Sequence, residues 1–324
     1  MSYTMCSRIT FPATEHRDEM KLHFVTSVTV KSSWKMLTST AEIVMPRMVQ
    51  AFGKRSLFDR FRPGDPVTVE LGYNAGYVKE FEGYILNVGQ GVPVTVTCED
   101  EMYMLKRKAV SYSKRSVTLA RLLADVCAGY EVDTPFGDTE LGAVRYSNVA
   151  ASAVLEDVKK KTGLSCWFEG KVLHCGNPYS DNAQRPEIGI SLERNAVSQD
   201  LQRTDNDFEV TVLAILKGGR KMEAKAGTKG AQSVNLNYNV KDEKVTVEAL
   251  KEVAERYYEG LKKQRYRGGI ELFGIPVARH GDVIDLTSEI TPEMNGKYLV
   301  EAVTKTFSDN ATYRQKLDLG GRVT

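Results

Sequence analysis

The histidines are the side chains of this sequence best suited to metal binding, and their spacing is unfavourable. Zinc sites often use two imidazoles four residues apart on one helix, in the pattern H-x-x-x-H. No such pair occurs, because the four histidines are far apart in the chain: His16, His23, His174 and His280. G-x-S-x-G, the turn that presents a nucleophilic serine, is also missing. We therefore assign no catalytic residue, no cofactor and no metal ligand.

The acidic run Glu99-Asp100-Glu101 is the strongest candidate for acid/base chemistry. Two carboxylates are the minimum for cleaving a glycosidic bond, which keeps a cell-wall hydrolase open as an alternative. The run lies between a predicted strand and a predicted helix, where acidic side chains stabilise the first helical turn. We favour that structural role.

Two further patterns raise phosphate or nucleic-acid binding. The Gly- and Lys-rich segments 218–221 and 227–230 do not fit G-x-x-x-x-G-K-[ST] and open no predicted helix, so a hairpin tip explains them better. The basic run 262–267 could contact nucleic acid, but a solvated helix end is the simpler explanation. The formal net charge of +2 provides no global attraction to DNA or anionic lipid. A nucleic-acid-binding β-barrel stays as a second alternative.

The composition is that of a soluble globular protein, with 42% hydrophobic and 27% charged residues. A chain of 324 residues is long enough for two or three domains. No signal peptide, membrane anchor or long apolar stretch is apparent, so we expect a protein made and kept in a cytoplasm.

The five cysteines include no C-x-x-C pair, and we expect reduced thiols. Cys166 and Cys175 flank a predicted hairpin. If Glu169-Gly170 is its turn, Cys166 lies opposite Leu173 and the two sulfurs are not paired.

Hydrophobic periodicity divides the chain into β-rich ends and a helical middle. Short alternating strands fill the first hundred residues, and helices are predicted around 119–127 and 150–162, capped by Thr118 and Gly163. Beyond a polar linker at 177–186, the pattern predicts strands at 207–217 and 233–240, a loop at 218–230, a helix at 247–266 and a final group of strands. We predict a β-rich α+β fold with domains 1–110, 111–180 and 181–324.

The end of the chain repeats the plan of its beginning. Arg62-Pro63-Gly64-Asp65 precedes a strand, a glycine-containing loop and a long hairpin, and Arg279-His280-Gly281-Asp282 does the same. Glycine in such turns supplies backbone freedom. We therefore predict two similar antiparallel β-barrel-like domains flanking a small α+β module.

Three segments resemble the late-control and baseplate hub proteins of contractile-tailed, Mu-like phages, which are related to the hub of type VI secretion spikes. They are Phe81–Ile85 with Val94–Asp100, the block Ser116–Cys175, and Gly296–Lys305 with Tyr313–Leu319. The resemblance spans nearly the whole chain.

The resemblance implies a non-enzymatic virion structural protein in the tail baseplate, assembled in the bacterial host cytoplasm. Hub proteins of this kind form homotrimers in which two β-barrels per chain make a pseudo-sixfold ring between the tail tube and the threefold spike. The implied partners are therefore the tube protein, a separate spike protein and other baseplate proteins, with DNA passing through the lumen without specific binding. We therefore expect a hub without a hydrolase domain and without a long β-helical spike.

Overall fold

The fold is β-rich, as the sequence predicts. The computed structural model describes residues 3–46, 60–89, 91, 93–179, 185–203, 207–216, 220–238, 246–262 and 266–323. Its helices are α1 (Met102–Arg107), α2 (Leu119–Val126), α3 (Ala151–Thr162) and α4 (Val247–Lys262). Its strands are β1 (Met5–Phe11), β2 (Met20–Leu22), β3 (Ser27–Ser33), β4 (Thr40–Met45), β5 (Pro66–Tyr73), β6 (Gly76–Val88), β7 (Val94–Glu99), β8 (Ala109–Lys114), β9 (Glu131–Asp133), β10 (Val144–Ala150), β11 (Ser165–Glu169), β12 (Val172–Gly176), β13 (Glu187–Ser191), β14 (Ala196–Gln199), β15 (Gln202–Arg203), β16 (Phe208–Ile215), β17 (Lys221–Gly227), β18 (Gln232–Tyr238), β19 (Tyr266–Phe273), β20 (Val283–Thr287), β21 (Gly296–Ser308) and β22 (Thr312–Arg322).

Two groups of six strands have the same order within one 14-stranded sheet. The N-terminal unit runs β1-β5-β6-β7-β4-β3, and the C-terminal unit runs β13-β20-β21-β22-β19-β14. Each contains a long central strand of 13 residues, β6 or β21. One difference is that β1 pairs antiparallel with β5, whereas β13 pairs parallel with β20. The repeat read from the sequence therefore corresponds to a repeated strand order.

Alternating apolar residues build a separate core for each unit. In the N-terminal unit, Val67, Val69 and Leu71 of β5 are buried while the residues between them are less so. This alternation is typical of a sheet with one covered face. Ile284, Leu286 and other apolar residues of the C-terminal unit form a second cluster.

The two repeated turns have the same backbone hydrogen bonds. Gly64 N donates to the Ile85 carbonyl over 2.8 Å and Ile85 N donates to the Asp65 carbonyl over 2.9 Å. Gly281 N and Val300 make the equivalent pair of bonds, at 2.8 and 2.9 Å, with Asp282 in place of Asp65. Each turn thus fixes the start of one strand against the long central strand of its unit.

Each aspartate also closes its own turn. Asp65 Oδ2 accepts from Arg62 N at 3.0 Å, and Asp282 Oδ2 accepts from Arg279 N at 2.8 Å. The glycines have φ of 96° and 89°, a region that favours glycine. The residues that the sequence repeat singled out therefore have one shared structural role.

The middle of the chain forms an α+β unit with its own core. Helices α2 and α3 pack with β8–β12 around buried residues that include Leu122, Leu155 and Leu173. Both helices were predicted correctly: Thr118 Oγ1 accepts from Arg121 N at 3.4 Å, and Gly163 ends α3 with φ of 73°. The helix expected after the acidic run is α1, for which no bounds were predicted.

The turn of the β11–β12 hairpin was predicted one residue too early. Gly170 and Lys171 form the loop, with Glu169 paired to Val172, so that Cys166 pairs with Cys175 and not with Leu173. Gly170 is the first residue of this loop and has φ of 59°; two-residue hairpin loops of type II′ have glycine in that first position. The Sγ atoms of the two cysteines lie 3.3 Å apart.

A fourth core, not anticipated from the sequence, lies between α4 and the sheet β17-β16-β18. The predicted loop 218–230 is wrong because residues 221–227 form β17. Ala224 is buried in this core and Met222 packs on it, while Lys221, Glu223 and Lys225 are exposed. The many glycines and lysines of this segment favoured a loop in the sequence analysis, although its residues alternate as in a strand.

The predicted helix 247–266 also extends too far. Helix α4 ends at Lys262, and Tyr266 begins β19, which pairs with β15 and β22. Strand pairing of 266–273 overrides the helical pattern there. Parts of the predicted linker (180–184), of the strand ends (217, 239–240) and of the loop (218–219) lie outside the described residues.

The repeated turns can be tested with Gly281→Ala. A Cβ at this position would lie 3.2 Å from Arg185 Nη1 and would force alanine into positive φ. We expect the free energy of unfolding to fall by about 1–3 kcal/mol, measured by urea denaturation.

Gly189→Ala is the matched control, because Gly189 lies in β13 with no heavy atom within 4 Å of a new Cβ. Its effect should stay within about 0.5 kcal/mol. Equal stability of the two variants would contradict the role given to the turn.

Candidate functional site: the junction of the two six-stranded units

Direct strand pairing joins the two units. Residues 302–308 of β21 pair antiparallel with 27–33 of β3, while residues 296–299 of the same strand pair with β20. One edge of β21 is paired with β22 of its own unit from Tyr298 to Ser308, and its other edge changes partner, from β20 at one end to β3 of the other unit at the other. Phe307 and Tyr313 of the C-terminal unit are buried in the core of the N-terminal unit.

A buried ion pair crosses this junction. Lys305 of β21 donates to Glu80 of β6, and their side chains are only 6% and 3% exposed. Tyr313 also donates its hydroxyl to Glu80 Oε1, at 2.9 Å. Burial lowers the pKa of Lys305, since desolvation disfavours the charged amine. A buried charge of this kind is tolerated only with a close partner.

A cleft of about 120 Å³ lies beside the ion pair. All three parts of the chain line it: Glu80 and Asp100 from the N-terminal unit, Phe168–Gly170 from the middle unit, and Arg279 and His280 from the C-terminal turn. Acidic and basic side chains are mixed along its wall, so the cleft has no strong preference for anions or cations.

His280 is a buried polar side chain of the cleft with a ring nitrogen that is unpaired within the described part of the chain. It is 9% exposed, and its Nδ1 has no hydrogen-bond partner among the described residues. Burial lowers its pKa to about 4, so the ring is neutral at neutral pH. Its ring meets Trp167 edge to face, with centroids 6.3 Å apart. The contact places the C-terminal turn against the middle unit.

The N-terminal turn has different neighbours. Asp65 accepts from Arg17 Nη1 at 3.3 Å and lies 3.1 Å from His16 Nε2. The two turns thus share a backbone pattern, but only the C-terminal turn lines the cleft. Their aspartates and glycines are structural, and none is placed as a contact residue for a partner.

Side chains of the acidic run 99–101 make hydrogen bonds within the protein. Asp100 is buried and accepts from Ser39 N at 2.7 Å and Met102 N at 3.0 Å. Glu101 accepts from the hydroxyls of Tyr84 and Tyr130. Burial raises the pKa of Asp100 to about 7, although its hydrogen bonds act in the opposite direction. The run connects β7 to α1.

The other sequence candidates do not converge on a site. Among the described residues no cluster of three metal-ligating side chains is present. His174 Nδ1 lies 2.9 Å from Asp133 and its ring stacks on Trp167. Of the basic run, residues 263–265 lie outside the described residues and Arg267 stacks over Phe208. No described helix is long and apolar enough to span a membrane.

Sequence reasoning missed the ion pair across the junction. One signal was present, because Lys305 alternates with Val303 and Phe307 on the buried face of β21. A lysine on that face needs a buried partner. The partner, Glu80, lies 225 positions away and no local pattern identifies it.

Glu80→Gln tests the junction. The change leaves the Lys305 charge buried without its partner, and we expect a loss of about 3–5 kcal/mol in the free energy of unfolding by chemical denaturation. Tyr313 keeps an acceptor in the glutamine oxygen. The double variant Glu80→Gln/Lys305→Met removes both charges and should recover most of the loss.

Glu289→Gln is the control for a surface ion pair. Arg194 and Glu289 are 78% and 81% exposed, and this change should cost about 0–1 kcal/mol. A Glu80 variant no less stable than the Glu289 variant would show that the buried pair does not hold the junction.

Asp100→Asn tests the buried carboxyl through pH. The folded carboxyl has a raised pKa, so its stabilising contribution is complete below the unfolded value and is lost as the pH rises through the folded one. In the unmodified chain the free energy of unfolding should therefore fall between about pH 4 and pH 7, by up to about 1.4 kcal/mol per pH unit. The variant should lack this part of the slope.

Exposed Asp138 provides the matched control, since Asp138→Asn should keep the slope of the unmodified chain. The measurement is urea denaturation across the pH series. Identical slopes for the two variants would rule out Asp100 as the titrating group.

Comparison with solved structures identifies the fold, whereas no family model and no curated relative matches the sequence. A tail protein from Neisseria meningitidis is 14% identical with a TM-score of 0.65, covering 98% of this chain and 96% of its own. The 43 kDa tail protein of prophage MuSo2 from Shewanella oneidensis is 13% identical with a TM-score of 0.63, covering 97% and 98%. An E. coli component of the type VI secretion system is 9% identical with a TM-score of 0.54, covering 92% and 74%. This chain therefore has the fold of phage tail proteins and of a type VI secretion component.

Proposed function

We propose that this protein is a structural component of a phage tail, and specifically the baseplate hub of a contractile tail. The observation that carries the proposal is the repeated strand order of the two six-stranded units, in which the same turn precedes the matching strand, β5 or β20. The tail-protein fold over nearly the whole chain supports it. In this role the chain is a virion protein of the tail baseplate, assembled in the host cytoplasm.

The duplication gives the proposal a mechanism. A homotrimer with two similar β-domains per chain presents six similar surfaces on one side and keeps threefold symmetry on the other. Such a ring adapts a sixfold tail tube to a threefold spike. The buried junction between the units supports this role, because strand pairing and an ion pair join the two units of one chain.

The proposed partners follow from that position. They are two further copies of this chain, the tail tube protein, a spike protein and other baseplate proteins. DNA would pass through the lumen without specific binding, consistent with a net charge of only +2. We propose no enzymatic role, since the acidic run that could have served a hydrolase is occupied in internal hydrogen bonds.

The proposal predicts a trimer. Light scattering on the purified protein across a dilution series should give three times the chain mass of 36.1 kDa. Electron microscopy of the same sample should show a ring with six similar lobes. A monomer at every concentration, alone and mixed with a candidate spike protein, would contradict the hub.

A further inference from the structure

Cys166 and Cys175 are placed for a reaction with each other. They are directly opposed in the antiparallel pair β11–β12, and their Sγ atoms lie 3.3 Å apart. Opposed residues in antiparallel strands have Cα separations of about 4.5 or 5.5 Å, and both fall within the range that a disulfide spans. Bond formation would therefore need the two sulfurs to approach, with little backbone movement.

The surroundings make this pair slow to react in the closed hairpin. Both thiols are buried in the core of the middle unit, at 3% and 1% exposure. The hydrogen bond between them and their burial raise the pKa of Cys166, which keeps it protonated. However, β11 is an outer strand of its three-stranded sheet and, among the described strands, pairs with β12 alone, so local opening of this hairpin breaks fewer strand hydrogen bonds than opening of a central strand would.

A third thiol is near enough to compete. Cys127 lies in the same core, and its pKa is raised to about 12, mainly by burial and in part by Cys166. Cys98 is buried in the core of the N-terminal unit, apart from these three. Any bond formed by Cys166 must therefore be identified by its partner.

The hairpin that carries the pair also contacts the junction. Trp167 packs against Trp34 and His280, with ring centroids 6.5 and 6.3 Å apart. Phe168, Glu169 and Gly170 line the cleft beside the buried ion pair. A bond across β11 and β12 would thus fix the part of the middle unit that rests on both six-stranded units.

We propose that Cys166 and Cys175 form an oxidation site, at which a small-molecule disulfide converts the two thiols into a cross-strand disulfide. One thiolate attacks a sulfur of the oxidant, which forms a mixed disulfide and releases one small thiol. The second thiolate then attacks the protein sulfur of the mixed disulfide and releases the other small thiol. The oxidant gains two electrons, and the two cysteine protons end on the two released thiols.

The test uses the full-length reduced protein and oxidised glutathione. After incubation, free thiols are alkylated, the chain is digested, and the peptides are identified by mass spectrometry. We expect one disulfide-linked species joining Cys166 to Cys175, while the other three of the five cysteines are alkylated. A bond from Cys166 to Cys127, or alkylation of all five cysteines, would overturn the proposal.

Two variants sharpen the result. Cys175→Ala should abolish the bridge, while Cys98→Ala, an equally buried cysteine outside the middle unit, should retain it. Hydrogen exchange provides a readout that needs no variant: oxidation should slow the exchange of β11 and β12 amides by about a hundredfold, because the bond restricts opening of the hairpin. Unchanged exchange in protein shown to contain the bond would overturn the claim that it fixes the hairpin.

Discussion

The pairing of β21 with β3 holds the two six-stranded units together. Seven residue pairs join the two strands, so the two six-stranded units share one continuous sheet. Phe307 and Tyr313 carry apolar surface from one unit into the core of the other. Lys305 fixes the register, because a shift by one residue would turn its charge away from Glu80 and towards the other face. Apolar burial provides the attraction, and the ion pair makes one register better than its neighbours.

The repeated turns solve the same local problem twice. In each unit a glycine with positive φ and an aspartate carboxylate bring the chain back into a strand beside the long central strand. The surroundings of the two turns differ. Asp65 contacts His16 and Arg17, whereas the turn of Asp282 faces the middle unit. Two units with the same strand order are therefore held in one chain by different contacts, which is compatible with the proposed role as a symmetry adaptor.

The middle unit completes the junction by filling the corner between the other two. Trp167 reaches Trp34 from the N-terminal unit and Val283 and Leu299 from the C-terminal unit in a small separate core. Lys35 and Tyr179 both bind the carboxylate of Glu301, at 2.6 and 2.7 Å, on the adjacent part of β21. These contacts explain why the helical middle of the chain lies against the strands and does not form an independent lobe.

Features that depend on near neighbours in the chain were predictable from the amino-acid sequence alone. Alternation identified the strands of the central hairpins, Thr118 and Gly163 marked helix ends, and the matching turns revealed the repeat, because each signal is set within a few residues. Three features became visible only in the folded chain: the partner of Lys305, the end of α4 at Lys262 and the pairing of Cys166 with Cys175. The first two depend on strands that pair across long stretches of chain, and the third on whether Gly170 is the first or the second residue of the hairpin loop. Local sequence preference predicts that a helix or strand is present, but long-range burial and strand pairing determine where it ends and what it pairs with.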